Sequence, residues 1–228
     1  MPARLKPTAP IAAAAILVGD PGRSLLLAQA LLEKPKMSNH ARGLWGYSGR
    51  TPAGEELTIQ ATGMGGPSAA MVLTDLAELG VERAVRVGTC AVFGSEARVG
   101  ELLLAEAALA AGASAASFGV AAGETISPAP VLHARLAAEL GEEARALTVA
   151  RLDALPADAA SAAGASAADM QTLAVLATAE RLGVAATAVL IATEDERGEP
   201  LEGERLEQAA ARAGAAAAKA LSNPQVKG

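Results

Sequence analysis

Ala15-Ile16-Leu17-Val18 runs directly into Gly19-Asp20-Pro21-Gly22-Arg23, and the junction between the two decides the fold. Four apolar residues in a row fit a buried strand. Gly19 lets the backbone turn sharply and approach a ligand. Pro21 suits a first helical turn, where its missing N–H costs nothing. Residues 22–32 then place Leu25, Leu26, Ala28, Leu31 and Leu32 on one broad apolar face. A strand turning through glycine into a helix is the first half of an α/β unit.

The pattern repeats along the chain. Strand-like runs lie at 57–61, 84–87, 102–108, 147–150 and 186–192. Helical periodicity covers 69–79, 130–140, 168–182 and 202–221. Gly80, Gly141 and Gly183 close three of these helices. The alternation predicts an α/β chain: a three-layer α/β/α sandwich with a central mixed sheet, forming one domain over residues 1–228. The run at 157–168, almost only Ala, Ser, Gly and Asp, reads as a surface loop or a poor helix.

Composition narrows the function. The formal net charge of −6 argues against a general nucleic-acid binder. No apolar run is long enough to span a bilayer. The run at 9–18 is of strand length and lacks a cleavage site, so it reads as a core strand rather than a signal peptide. Cys90 is the single cysteine, which excludes a disulfide framework. A cytoplasmic protein is the expectation.

In such folds, ligands bind at the carboxyl ends of the strands. Three glycine-rich turns fall there. At 19–23 the start of a helix offers free N–H groups, and Arg23 adds a charged fork. The loop 62–68, Thr-Gly-Met-Gly-Gly-Pro-Ser, feeds the next helix. At Arg86-Val87-Gly88-Thr89 an arginine interrupts an apolar strand end. Burying it requires an anionic partner. That partner is either an internal carboxylate, with Asp20 and Asp75 as candidates, or a bound oxyanion.

These turns, in order and with Ala-Arg-Gly-Leu-Trp-Gly-Tyr-Ser-Gly at 41–49 between them, resemble the nucleoside phosphorylase family of hexameric purine nucleoside phosphorylases and uridine phosphorylases. The resemblance runs from about Leu5 to Leu221. It implies phosphate held by Gly19, Arg23, Arg86 and Thr89, with Arg42 reaching in from a neighbouring chain. It therefore implies at least a homodimer, and commonly a homohexamer. The implied reaction is phosphorolysis of a nucleoside, purine type preferred over pyrimidine type, giving a free base and a pentose 1-phosphate. Inorganic phosphate is then a co-substrate, and no metal or organic cofactor is expected. The implied partners are nucleoside and phosphate, with neither nucleic acid nor membrane.

The sugar and base half departs from the family pattern. Arg4, Met64, Cys90, Ala91, Leu155, Met170 and Gln171 take the nucleoside-binding positions by resemblance. The family's Met-Glu, whose carboxylate grips the ribose hydroxyls, is Met170-Gln171 here. On that layout Gln171→Glu would strengthen ribonucleoside use. Leu155 stands for a base-facing aromatic, and Arg4 for a histidine covering the 5′-hydroxyl. The acid that protonates the leaving base corresponds to Glu194, with Asp195 beside it, and Arg205 or Arg197 matches a helper arginine. Alternatively, residues 194–197 are a solvated charged loop. His40 and His133 carry no catalytic role. Two other functions fit the sequence: a hydrolytic nucleosidase of the same fold, and a degenerate ligand-binding member.

Overall fold

A computed structural model describes residues 4–153, 164–195 and 200–222. Its elements, in chain order, are β1 (Ala14–Val18), α1 (Pro21–Leu31), β2 (Glu33–Asn39), β3 (Gly46–Arg50), β4 (Glu56–Ala61) and α2 (Gly66–Glu78). Then follow β5 (Arg83–Val92), β6 (Leu102–Ala110), β7 (Thr125–Ile126), α3 (Pro130–Leu140) and β8 (Ala144–Arg151). The last are β9 (Ala167–Asp169), α4 (Thr172–Leu182), β10 (Ala185–Glu194) and α5 (Gly203–Leu221).

The ten strands among the described residues join one mixed sheet, ordered β10-β6-β8-β9-β5-β1-β4-β3-β2, with β7 on β6. β1 lies parallel between β4 and β5. β10 pairs parallel with β5 and antiparallel with β6, so β5, β10, β6, β8 and β9 close into a ring. Side-chain alternation along the strands builds two cores. Ile16 and Val18 face α1, α3 and α5, packing with Leu27, Leu136 and Ala213. Ala15 and Leu17 face α2 and α4, packing with Leu73, Leu76 and Leu173. The result is the three-layer α/β/α arrangement. Inside the ring, Cys90, Leu103, Ala105, Val149 and Leu190 form a further core.

One expectation needs correction, and one hairpin carries no signal in the sequence. The helix read at 168–182 begins at Thr172, because residues 167–169 form β9. There Ala168 pairs with Ala91 of β5 and with Ala150 of β8. The hairpin β2–β3 had no strand signal. Its first strand, Glu-Lys-Pro-Lys-Met-Ser-Asn, is a mostly exposed edge whose lysines and proline suit an unpaired rim. Among the described residues, no helix is long and apolar enough to cross a membrane.

Candidate active site

The carboxyl ends of β1, β4, β5 and β10 open onto one cavity of about 710 Å³. At the end of β1, Asp20 caps α1: its Oδ2 accepts from the Arg23 N–H at 2.8 Å, and Pro21 occupies the first turn. The helix thus starts at the cavity wall, and Arg23 leaves its first turn half-buried. Burial lowers the Arg23 pKa; Asp20 opposes that shift, and the positive charge of Arg86 adds to it. Among the described residues, the Arg23 guanidinium has no hydrogen-bond partner.

Arg86 is 4% exposed and rises from β5 into the same wall. Its Nη2 lies 2.7 Å from Asp169 Oδ2, with Nε at 3.3 Å from the same oxygen. Its Nη1 donates to Gln171 Oε1 at 2.7 Å. The internal partner is therefore Asp169, not Asp20 or Asp75. Asp20 is committed to capping α1, and buried Asp75 accepts from the Arg4 and Leu5 N–H groups and from Arg4 Nη1. The sequence alone does not single out Asp169. Its signal was an acid three residues ahead of a helix, where it accepts from the Thr172 N–H at 3.0 Å.

Gly19, Arg23, Arg86 and Thr89 line the cavity together with Met64, Cys90, Ala91, Met170, Gln171 and Glu194. Arg42 lines the cavity of its own chain. It sits exposed and in a left-handed conformation (φ 60°) in the turn between β2 and β3. Met64 is 90% exposed at the rim. Glu194 is half-buried at the end of β10, just after a register shift that follows Ala192. Thr193, also unforeseen, lines the wall and donates to the Cys90 carbonyl at 3.3 Å. Burial pushes the Cys90 thiol well up; Asp169 and Glu194 add to this, so no thiolate nucleophile is available there.

Three predicted residues stand apart. Arg4 is tied to Asp75 on α2. Arg205 lies in the first turn of α5, facing Gly100. Asp195 follows β10 but is not part of the cavity wall. Leu155 and Arg197 lie outside the described residues.

The chain is similar to known proteins. A segment of 94 residues is 39% identical to a DeoD-type purine nucleoside phosphorylase of Oceanobacillus iheyensis, covering 41% of this chain and 40% of that protein. Over 103 residues it is 36% identical to the corresponding protein of Clostridium beijerinckii, covering 45% and 43%. These alignments span less than half the length of the relatives they match. A purine nucleoside phosphorylase of Toxoplasma gondii, solved in complex with immucillin-H, superposes with a TM-score of 0.81 at 20% identity, over 92% of this chain and 91% of that one. At that identity the likeness shows the fold. The family model described as the phosphorylase superfamily matches residues 13–223, which is most of the chain. The chain belongs to the phosphorylase superfamily.

Proposed function

We propose that this chain catalyses phosphorolysis of a nucleoside, of purine type, with inorganic phosphate as nucleophile. One observation carries the reading: Arg23, Arg86, Thr89 and the first turn of α1 line the same cavity as Glu194. A cavity of this volume suits a small organic ligand. Phosphate at the cationic pole would be neutralised by arginine forks and free N–H groups.

The oxygen of that phosphate attacks C1′ as the bond to the base nitrogen breaks. Positive charge builds on the sugar in the transition state, and phosphate bound beside it stabilises that charge. Glu194, in its acid form, donates a proton to the departing base. The names of the relatives support a purine substrate.

The same reading makes the protein at least a homodimer and favours a homohexamer, in which Arg42 of a neighbouring copy completes the phosphate site. Sedimentation of the purified protein tests this, and a strict monomer would overturn the Arg42 assignment.

The activity is tested by base release from inosine, adenosine and uridine, with and without phosphate. The expected result is turnover that requires phosphate and saturates with it. Equal activity in phosphate-free buffer would make the chain a hydrolytic nucleosidase. No release under either condition would leave only a ligand-binding role.

A further inference from the structure

The loop 63–65 and Arg86 are held by the same side chain. Gln171 is 4% exposed, and each of its hydrogen-bonding positions faces protein. Oε1 accepts from Arg86 Nη1 at 2.7 Å and lies 3.1 Å from Thr62 Oγ1. Nε2 donates to the Gly63 carbonyl at 2.6 Å and lies 3.3 Å from the Gly65 carbonyl. The amide cannot be turned round. Arginine only donates and carbonyls only accept, so the oxygen must face Arg86 and the nitrogen must face the loop.

A carboxylate cannot take this position on the same terms. One oxygen would serve Arg86. The other would sit against the Gly63 carbonyl at hydrogen-bond distance with no proton between them. Gly63 and Gly65 both hold left-handed φ, 73° and 78°, so the loop depends on an outside anchor for its shape.

The neighbouring acceptor is also occupied. Asp169 Oδ2 takes Arg86 Nη2 at 2.7 Å and Thr172 Oγ1 at 2.8 Å, and the Thr172 N–H contacts both of its oxygens. Phosphate attack at C1′ requires the sugar to lie against the anion, and Arg86, Asp169 and Gln171 form the cavity wall on the Arg86 side. Gln171 offers that wall no uncommitted acceptor, and Asp169 Oδ2 is filled by Arg86 and Thr172.

We infer that Gln171 is a positioning residue: it locks Arg86 to the 62–65 loop rather than gripping the sugar, and the wall it forms favours a nucleoside without a 2′-hydroxyl. The sugar preference rests on the phosphorylase reading above; the lock itself does not.

The test has two parts. In the first, inorganic phosphate is titrated calorimetrically into the wild type, Gln171→Glu and Gln171→Ala, and into each substitution combined with Arg86→Ala. Losing the bond to Arg86 in Gln171→Ala, or the bond to the loop in Gln171→Glu, breaks the lock and should weaken phosphate binding about ten-fold in both single variants. The loss should vanish in the Arg86→Ala background, because Gln171 acts through Arg86. Unchanged phosphate affinity in the single variants, or a loss that persists without Arg86, overturns the lock.

In the second part, the wild type is assayed on inosine and 2′-deoxyinosine. The expected kcat/KM is about five-fold or more higher for the deoxynucleoside, the scale of one unmatched hydrogen bond. A preference for inosine, or a gain on inosine in Gln171→Glu with phosphate affinity intact, makes Gln171 a sugar contact and overturns the proposal. If no nucleoside is turned over, the phosphorylase reading fails, and with it the sugar preference. The phosphate titration still decides the lock. Should Gln171→Glu not fold, Gln171→Ala and the wild-type comparison suffice.

Discussion

Gly88 is the residue that lets Arg86 turn back across its own strand. The two stand on the same face of β5, two residues apart. A Cβ on Gly88 would overlap the Arg86 guanidinium, and it would also come within 2.8 Å of Leu190 Cδ2. The glycine is required by space and not by its backbone angles. Gly88→Ala should therefore displace Arg86 and crowd Leu190. We expect the KM for phosphate to rise on the order of 10²-fold, with a stability loss of about 1–3 kcal/mol. Phosphate-dependence kinetics and urea unfolding measure the two effects; wild-type phosphate kinetics in the variant would refute the geometry.

Asp169 and Arg86 form a buried pair, their side chains 2% and 5% exposed. Removing one partner of such a pair leaves the other charge uncompensated, which costs about 3–5 kcal/mol. Asp169→Asn should be destabilised on that scale without phosphate. A bound anion can replace the lost charge, so phosphate should raise the Tm of the variant more than that of the wild type. Equal phosphate shifts in the two proteins would mean that the anion does not reach Arg86.

How far the sequence foretold this site depended on the element. The turn at 19–23 was readable because its chemistry is local: Asp20, Pro21 and the helix they start lie within a few residues. Arg86 was conspicuous because an arginine breaks an apolar strand. Its partner was not, because Asp169 lies 83 positions away on a three-residue strand that exists only through pairing with β5 and β8. Periodicity merged that strand into the following helix. Gln171 could be placed by resemblance, but its role depends on contacts to Gly63 and Gly65, more than a hundred positions distant. The edge hairpin β2–β3 carries exposed polar residues and so lacks the apolar alternation that marks a half-buried strand.

Glu194 is the half-buried carboxyl in the cavity wall that remains after Asp20 and Asp169 are committed to α1 and Arg86. If it protonates the leaving base, Glu194→Gln should lower kcat for inosine by about 10²–10⁴-fold, the usual contribution of general acid catalysis. From a riboside of 4-nitrophenol, 4-nitrophenolate leaves without needing a proton, so turnover of that substrate should fall far less. Equal losses on the two substrates would assign Glu194 to binding rather than proton transfer. Asp195→Asn serves as the comparison, since Asp195 is not part of the cavity wall.

Arg151 is 2% exposed at the end of β8, stacked on the Phe118 ring with 5.0 Å from its guanidinium carbon to the centroid. Its Nη1 lies 2.7 Å from Asp153 Oδ1. The Ser114 hydroxyl and N–H also donate to Asp153. The Ser114 hydroxyl bond is the largest cause holding the Asp153 carboxyl down, to about 2 from its ordinary 3.8, with Arg151 contributing less. A carboxyl depressed in the folded state binds its proton more readily when unfolded. Its contribution to stability is therefore complete above about pH 4 and fades as pH falls toward 2. Asp153→Asn should be less stable than the wild type at pH 7, and the gap should close across that window. Ser114→Ala should raise the Asp153 pKa and shift the closure to higher pH. Urea unfolding of the three proteins between pH 2 and 7 measures the gap. A difference that stays constant down to pH 2 would show that the ionised carboxylate is not what ties the end of β8 to Ser114.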